Sequence, residues 1–423
     1  MRNAPAECRR RTAALPDILR YRPDTRPPAI IATVATTEIA KRAATRPTWA
    51  DVSLSLLREN YRTIAEYLGP KVNICAVVKA DAYGHGAVEC AAALEQEGAR
   101  WLGVTSLDEA IPLREEGMAT RILLMTGFWH GEEEEIIRLG LTPTVWETGQ
   151  IELLERAASK LGVCEHAVHL KVDSGMGRLG AAPEDLPSIL EALHASPHLT
   201  VEGFSTHIAS SEVLDAPSVS GQLKVFAAAR KALREYGLDP PLVHAANTSA
   251  VIAHHESWNT MVRPGLALYG YHLPFERAGR VVSGRGLKLA LQPVLTWKTR
   301  ILSLRDLPAG QALGYGGTYV TKAPARIAIL PVGYADGLNR ELSSKGRVIV
   351  REHYAPIVGR ISMDLTTVDV TGIPGIEVGE EVILLGAGDG LSVDAREHAE
   401  LAETTPYEIL CAISKRVPRK YGS

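Results

Sequence analysis

The stretch NICAVVKADAYGHG, residues 73–86, decides the fold more than any other part of the chain. It begins with a short apolar run, typical of a strand buried on both faces, and this run ends at Lys79. A glycine-containing turn follows, and residues from about 86 to 97 have the pattern of a helix. A buried strand that leads directly into a helix is the repeating unit of α/β proteins.

This unit recurs along the chain. Apolar runs alternate with helical segments at residues 73–80, 101–105, 121–125, 141–145, 166–173, 199–208, 241–248 and 261–270. Before the first run, Leu57, Tyr61, Ile64 and Leu68 recur at helical spacing. Eight such strands predict an α/β fold with an N-terminal (β/α)8 barrel of the TIM type. A doubly wound open sheet is the alternative, because the number of strands does not by itself close a barrel.

The pattern changes near residue 290. Runs rich in Val and Ile, such as VLTWKTRILSL and ARIAILPVGYADG, are broken by Gly and Pro, which predicts a C-terminal mainly-β domain. We therefore divide the chain into an extension over residues 1–46, a barrel domain over 47–285 and a β domain over 286–423. The extension is rich in Arg and Pro and aperiodic, so we expect it to be disordered, with a targeting peptide as the alternative.

Composition excludes several classes of protein. The 423 residues carry a net charge of −3, so there is no basic excess for binding nucleic acid. No run reaches the roughly eighteen apolar residues that span a bilayer, so we expect no membrane partner. The five cysteines are widely spaced and form no CxxC motif, which argues against a disulfide framework or a metal site and favours a cytoplasmic location.

Polar residues stand where the predicted barrel strands end, and barrel enzymes carry their functional groups at these ends. The residues at these positions are Lys79, Lys171, Asp173, His207, Asn247, Thr248, Ser249, Arg263 and Gly265. Their clustering at one face of a barrel predicts a site there.

Two interpretations remain open for several of these residues. Lys79 is either a desolvated amine that forms a Schiff base with an aldehyde cofactor, or a strand-end lysine that extends into solvent. Thr248, Ser249 and Gly265 match either a barrel phosphate site or ordinary turn chemistry. His207 is either functional or a hydrogen-bonded histidine at a strand end.

Seven motifs in this order resemble those of alanine racemases, the fold-type III family that depends on pyridoxal phosphate. They are AVVKADAYGHG (76–86), HLKVDSGMGRLG (169–180), MVRPGLALYG (261–270), LGYGGTY (313–319), PVGYADG (331–337), GRISMD (359–364) and TPYEI (405–409). The resemblance covers about residues 47–421. It departs slightly from the family at Ser362, where some members have cysteine, at Thr248, where others have serine, and at Pro264, where others have a different residue.

The resemblance implies an isomerase that interconverts L-alanine and D-alanine by a two-base mechanism and supplies D-alanine for peptidoglycan. The implied cofactor is pyridoxal 5'-phosphate, held by Lys79, which also serves as one base. Tyr315 is the implied second base, contributed by the partner subunit of a homodimer whose active sites are shared.

The resemblance also implies the remaining site residues. For the cofactor they are Lys79, Tyr83, Arg178, His207, Asn247, Thr248, Arg263, Gly265, Leu266 and Tyr407. For the substrate they are Arg178, Tyr315, Tyr334, Met363 and Asp364. Arg263 would face the pyridine nitrogen, His207 would link Arg263 to the tyrosine base, and Lys171 would be carbamylated and brace Arg178.

Three other functions compete with this one. A broader amino-acid racemase is the nearest, because a pocket discriminates by only about 1–3 kcal/mol per methylene. A barrel protein that binds pyridoxal phosphate for homeostasis would explain Lys79 but not the β domain. A fold-type III decarboxylase does not suit LGYGGTY and GRISMD.

Overall fold

The computed structural model describes residues 46–282, 289–388 and 390–422. The predicted extension, apart from Arg46, lies outside the described residues, as does the predicted boundary at 285/286. Residues from Thr48 onward form one compact unit.

Eight strands and nine helices of the described residues build the barrel half of the chain. The strands are β2 (Asn73–Val77), β3 (Trp101–Val104), β4 (Arg121–Leu124), β5 (Thr142–Val145), β6 (His166–Lys171), β7 (Leu199–Ser205), β8 (Leu242–His244) and β9 (Met261–Val262). The helices are α1 (Leu54–Leu68), α2 (Lys79–Gly84), α3 (Ala87–Gln96), α4 (Leu107–Glu115), α5 (Glu133–Arg138), α6 (Thr148–Leu161), α7 (Leu186–His194), α8 (Pro217–Glu235) and α9 (Thr248–Ala253).

The eight barrel strands are parallel and pair in the order β8-β7-β6-β5-β4-β3-β2-β9. Main-chain hydrogen bonds join the two end strands, from Thr260 N to Val243 O at 3.1 Å and from Arg263 N to Ala246 O at 2.9 Å. These bonds bring the sheet close to a closed barrel, which confirms the predicted fold class and rejects the open sheet.

The barrel strands begin within one residue of their predicted starts, but all eight are shorter than predicted, and the last two are shortened most. β8 ends at His244 because Asn247 caps α9, its side chain accepting a hydrogen bond from Ala250 N at 3.0 Å. β9 ends at Val262, since the chain then turns into a 3₁₀ helix over Leu266–Tyr269. Arg263 therefore follows strand β9 instead of lying within it.

Helix α1 shows how the predicted pattern produces structure. Ser53 caps its first turn by accepting a hydrogen bond from Leu56 N at 3.3 Å. The predicted positions Leu57 and Ile64 are fully buried against the barrel core. The helix ends at Gly69, whose φ of +75° suits glycine.

The second half of the described chain is mainly β, as predicted. Its strands are β10 (Phe275–Arg277), β11 (Arg280–Val282), β12 (Leu295–Arg300), β13 (Ser303–Leu307), β14 (Ala312–Leu313), β15 (Tyr319–Val320), β16 (Ala325–Leu330), β17 (Arg347–Val350), β18 (His353–Pro356), β19 (Thr366–Asp369), β20 (Glu381–Gly388), β21 (Leu391–Val393) and β22 (Arg419–Gly422). Its two helices are α10 (Ala395–Leu401) and α11 (Pro406–Cys411).

The main sheet of the β half includes a strand from the start of the described chain. Strand β1 (Thr48–Ser53) lies between β12, to which it is antiparallel, and β22, to which it is parallel. The sheet order is β18-β17-β20-β12-β1-β22, with β21 also paired to β20. Residues 48–53 therefore pair with the β half, although they lie within the predicted barrel domain. The division of the chain into three parts stays a prediction.

No helix of the described residues is long and apolar enough to cross a membrane.

Candidate active site

A cavity of about 250 Å³ lies at the carboxyl ends of the barrel strands. Ten of the predicted site residues line it, namely Lys79, Tyr83, Lys171, Arg178, His207, Asn247, Thr248, Arg263, Gly265 and Tyr407. Four of the lining side chains are basic, and no carboxylate is found among the described residues that line the cavity. Such a cavity attracts anionic ligands.

Lys79 opens a turn of unusual backbone geometry. The four residues Ala80–Tyr83 have φ between +52° and +55° and ψ between +40° and +48°, which is a left-handed helical turn. None of the four is glycine, and each such residue costs about 1–2 kcal/mol relative to the right-handed form. Strain of this kind persists only where neighbouring contacts fix it, and it concentrates at functional sites.

Glu109 on helix α4 fixes the start of this turn. One carboxylate oxygen accepts a hydrogen bond from Ala80 N at 2.7 Å, and the other accepts from Thr105 N and Thr105 Oγ1 at 2.7 and 2.8 Å. The spacing of Ser106 and Glu109 is that of a helix-capping box. The structure instead uses Glu109 to join the Lys79 turn to the end of β3.

Two lysine amines in the cavity are shifted toward their neutral forms. Burial and the Arg178 guanidinium lower the pKa of Lys79, an effect that Glu109 partly opposes. Burial, Arg263 and Arg178 lower the pKa of Lys171 to about 8. Neutral amines are the nucleophilic form of lysine, so these shifts favour the nucleophilic form of both side chains.

Asp173 organises the loop that carries Arg178. Its carboxylate accepts hydrogen bonds from Gly175 N and Met176 N, both at 2.8 Å, and from Arg178 N at 3.1 Å. The same loop passes close to β6 at Gly180, where a Cβ atom would lie 2.5 Å from Asp173 N. These contacts direct the arginine side chain to the cavity wall.

Arg263 is buried and satisfied almost entirely by acceptors from neighbouring strand ends. Its Nη1 contacts His244 Nδ1 at 2.5 Å and donates to His244 O at 3.1 Å. Its Nη2 donates to Thr206 O at 2.8 Å and contacts His207 Nδ1 at 3.3 Å. Burial lowers the pKa of Arg263 to about 10, so the side chain still carries its charge at neutral pH.

His207 is neutral in this environment. Burial and the nearby Arg263 lower its pKa to about 2. Because arginine only donates hydrogen bonds, Nδ1 of His207 must accept from Arg263, and the ring proton therefore lies on Nε2. His207 thus offers a hydrogen-bond donor on the side of the ring away from Arg263.

One end of the cavity is lined by hydroxyl groups. Thr248 Oγ1 accepts hydrogen bonds from Gly265 N at 3.0 Å and Ala267 N at 3.3 Å. Gly265 is required because a Cβ atom there would lie 2.2 Å from the Tyr83 hydroxyl oxygen. The rings of Tyr83 and Tyr407 lie 5.7 Å apart, so two phenol groups face the same end.

The other predicted site residues lie away from this cavity. Leu266 is fully buried beside Gly265 but does not line it. Tyr315 is 73% exposed and lines a separate groove with Arg360 and Ser362. Tyr334 and Met363 are also exposed.

Asp364 belongs to the same surface. It forms an ion pair with Arg416, which also contacts the carboxylate of the buried Asp336. The loops that carry Tyr334 and Met363 are joined by main-chain hydrogen bonds, including Ala335 N to Met363 O at 3.1 Å. The residues predicted to come from a partner subunit therefore cluster on one exposed surface.

Sequence reasoning missed three residues of the site. The spacing of Glu109 from Ser106 indicates only a helix cap, and no motif distinguishes His169 or His244 as site residues. The detectable signal is strand periodicity: His169 lies two positions before Lys171 in β6 and so shares its face of the sheet. A histidine on the face that points into a barrel is buried, and it requires a polar partner there.

The fold and the cavity together define a class: a barrel protein with an anion-attracting, lysine-bearing site at the carboxyl ends of its strands. Two family models match the chain, the N-terminal domain of alanine racemase over residues 52–273 and its C-terminal domain over residues 294–421.

Individual relatives agree with these models. The chain is 40% identical to the alanine racemase of Halothermothrix orenii over 377 residues, which covers 89% of this chain and 97% of the relative. It is 40% identical to that of Sorangium cellulosum over 385 residues, covering 89% and 99%.

Solved structures match in the same way. The alanine racemase from D-cycloserine-producing Streptomyces lavendulae has a TM-score of 0.82 at 32% identity, covering 90% of this chain and 98% of that one. The biosynthetic alanine racemase of Pseudomonas aeruginosa has a TM-score of 0.77 at 34% identity, covering 89% and 100%. The chain belongs to the alanine racemase family.

Proposed function

We propose that this protein is an alanine racemase that interconverts L-alanine and D-alanine with pyridoxal 5'-phosphate as its cofactor. The observation that carries the proposal is the cavity, in which activated lysine and arginine side chains converge with no carboxylate among the described lining residues. D-alanine formed in this way would serve peptidoglycan synthesis. A cytoplasmic location stays a prediction from cysteine spacing.

The donor set of the cavity fits a phosphorylated aldehyde. The hydroxyl end, formed by Thr248, Tyr83 and Tyr407 around the main chain of Gly265, suits a phosphate group. The amine of Lys79 lies in the same cavity and suits an aldehyde carbon. We therefore infer that these residues, with Asn247, Leu266 and the others that the resemblance implies, hold the cofactor.

The bound cofactor would supply an electron sink for a carbanion at the α-carbon of the amino acid. The chain supplies the proton transfers. Lys79 Nζ, with its lowered pKa, would take or return the α-proton on one face of that carbon. Racemisation requires a second base on the opposite face.

We assign the second base to Tyr315 of a partner subunit. Within one chain this tyrosine is exposed and lines a groove separate from the cavity. Leu302, Val320, Tyr334, Met363 and Leu365, in the same half of the chain, are also exposed large apolar side chains. A homodimer would cover such side chains. Each subunit would then supply Tyr315, Tyr334, Met363 and Asp364 to the cavity of the other subunit. Within that cavity, Arg178 would contact the substrate.

Arg263 would control the cofactor ring, and His207 would control the Tyr315 base. Arg263 carries a positive charge and only donates hydrogen bonds, so it would keep the pyridine nitrogen unprotonated and the electron sink shallow. The Nε2–H of His207 would donate to the Tyr315 oxygen and favour its anionic form. Arg263 would thereby favour return of the proton to the α-carbon, which is racemisation, over transamination.

Lys171 is suited to carbamylation. It is 8% exposed, has a pKa lowered to about 8, and lies with Arg178 and Arg263 in a cavity rich in positive charge. Its neutral amine would attack carbon dioxide, forming an N–C bond and releasing one proton. The resulting carbamate anion would offset the excess positive charge and brace Arg178.

The test is a substrate-profile assay on the cofactor-loaded protein with L-alanine, L-serine and L-lysine, monitoring formation of each D-enantiomer. We expect D-alanine from L-alanine, with L-serine and L-lysine much poorer substrates. Comparable turnover of all three would indicate a broader racemase. Cofactor absorbance without turnover of any amino acid would indicate a binding protein and overturn the proposal.

A further inference from the structure

A chain of buried polar side chains extends from the cavity into the interior of the barrel. Arg263 at the cavity contacts His244 Nδ1 at 2.5 Å, and His244 Nε2 contacts His169 Nδ1 at 2.9 Å. Both histidines are at most 1% exposed. Trp101 packs on His169 with ring centroids 5.3 Å apart, and Arg121 lies over Trp101 at 4.2 Å.

The hydrogen-bond directions in this chain follow from Arg263. A guanidinium only donates, so His244 Nδ1 accepts from it. A neutral imidazole has one N–H, so that of His244 lies on Nε2 and donates to His169 Nδ1. His169 in turn carries its proton on Nε2. Each ring is thereby restricted to one tautomer by the charge at the cavity end.

The neutral state of both rings has a physical cause. Burial and Arg263 lower the pKa of His244, and burial, Arg121 and Arg263 lower that of His169 to about 3. The two rings therefore add no charge to a region that already holds Arg263. They provide acceptors without competing positive charge.

Two features of the barrel at His169 are energetically unfavourable: a glycine inside the neighbouring strand and an unpaired ring nitrogen. Gly203 of β7 is paired with His169 of β6, and a Cβ atom at position 203 would lie 2.4 Å from the imidazole ring. His169 Nε2 has no hydrogen-bond partner among the described residues. An apolar residue at position 169 would not leave a buried donor unpaired and would not require a glycine at position 203. Packing alone therefore does not explain why a histidine is present.

We propose that His169 and His244 are positioning residues that hold Arg263 in the orientation from which it faces the cofactor ring. The proposal rests on the proposed function of the site. His244 accepts from the guanidinium, and His169 fixes the tautomer that allows His244 to do so. Neither histidine touches the reacting atoms; both act through Arg263.

The experiment compares His169→Leu, which removes the acceptor, with His169→Gln, whose side-chain oxygen can accept from His244 Nε2–H. The matched control is His166→Leu, because His166 is another buried histidine of β6 whose Nε2 is also unpaired, and it makes no described contact with Arg263. The measured quantity is the ratio of transamination to racemisation for L-alanine. We expect His169→Leu to raise this ratio about tenfold, His169→Gln to stay within about twofold of the unsubstituted protein, and His166→Leu to leave it unchanged.

A second readout is independent of activity. Nitrogen-15 chemical shifts of histidine rings in the cofactor-free protein at pH 7 report which ring nitrogen carries the proton. We expect His169 and His244 both to be neutral with the proton on Nε2, assigned by the signals that each His169 variant loses or shifts.

Three results would overturn the proposal: a proton on Nδ1 of either ring, equal ratios for His169→Leu and His169→Gln, or an equal effect of His166→Leu. If the unsubstituted protein does not racemise alanine, the proposed function fails separately, and the nitrogen shifts still test the hydrogen-bond chain. If His169→Leu does not fold, the shifts of the unsubstituted protein and the ratio for His169→Gln decide the question.

Discussion

Replacing Glu109 with glutamine tests how the strained turn at Lys79 is maintained. The carboxylate accepts hydrogen bonds at 2.7 Å from Ala80 N and at 2.7 and 2.8 Å from the N–H and hydroxyl of Thr105. Glutamine has one oxygen and one NH2 group in the same positions. One of the two main-chain N–H donors would therefore face another donor, whichever way the amide is oriented.

The magnitude follows from these contacts. Leaving one donor unsatisfied costs about 1–3 kcal/mol, and replacing a charged acceptor by a neutral one weakens the remaining bonds. We expect Glu109→Gln to lower the free energy of unfolding by about 2–3 kcal/mol. With an unfolding entropy of about 0.8 kcal/mol/K for a unit of this size, the Tm falls by about 3 °C.

The substitution also changes the charge near Lys79. Glu109 raises the pKa of Lys79 against the larger effects of burial and Arg178, so removing the carboxylate lowers that pKa further. The assay is the pH dependence of alkylation of Lys79 in the cofactor-free protein, whose midpoint should move to lower pH. Thermal unfolding of the same sample gives the stability change.

Asp108→Asn is the matched control. Asp108 is exposed, lies in the same first turn of α4, and has the same charge. It should change neither the Tm beyond about 1 °C nor the alkylation midpoint. If Glu109→Gln behaves like Asp108→Asn in both measurements, the carboxylate does not stabilise the turn and the reasoning is refuted.

Four further predictions concern other parts of the molecule. Lys79→Ala should abolish both the protein-bound cofactor absorbance and racemisation; if both persist, another lysine anchors the cofactor. Tyr315→Phe should stop racemisation but retain the cofactor, and exchange of the α-proton with deuterated water should persist for one enantiomer of alanine only. Equal exchange from both enantiomers would contradict the two-base assignment. Arg263→Glu should raise the ratio of transamination to racemisation, and an unchanged ratio would mean that Arg263 does not control the electron sink. Burial lowers the pKa of His398 to about 4, so below about pH 6.5 the unfolded state binds a proton that the folded state does not. His398 should therefore contribute about 1.4 kcal/mol per pH unit to the fall in stability from there towards pH 4, and His398→Gln should reduce the slope measured in urea titrations by about that amount.

The barrel and the β half were predictable because their patterns are local. Buried parallel strands appear as short apolar runs, and the runs at 101–105 and 121–125 match β3 and β4 to within one residue. The lysine at the end of β2 was predictable for the same reason, since a charged residue interrupts an apolar run.

What the sequence did not reveal depends on contacts between distant segments. The sequence predicts a turn after Lys79 but not its left-handed form, because Ala80–Tyr83 contain no glycine and other residues favour the right-handed form. The hydrogen bond from Ala80 N to the Glu109 carboxylate joins residues 29 positions apart. Likewise, the bond between His169 and His244 spans 75 positions and exists only once β6, β7 and β8 pair.

The placement of β1 has a consequence for the order in which the protein can assemble. In the sheet, Ala50 is paired with Arg419, so β1 meets β22 only after nearly the whole chain has been synthesised. The barrel strands β2–β9 are all made earlier, and they pair mostly with neighbours in sequence. Both edges of β1 therefore stay unpaired until β12 and then β22 have been synthesised. An unpaired strand edge can form hydrogen bonds with a strand of another chain, which leads to aggregation. A truncated chain that stops before residue 419 leaves one edge of β1 open, so premature termination near the end of this protein should produce aggregation instead of a slightly shortened enzyme.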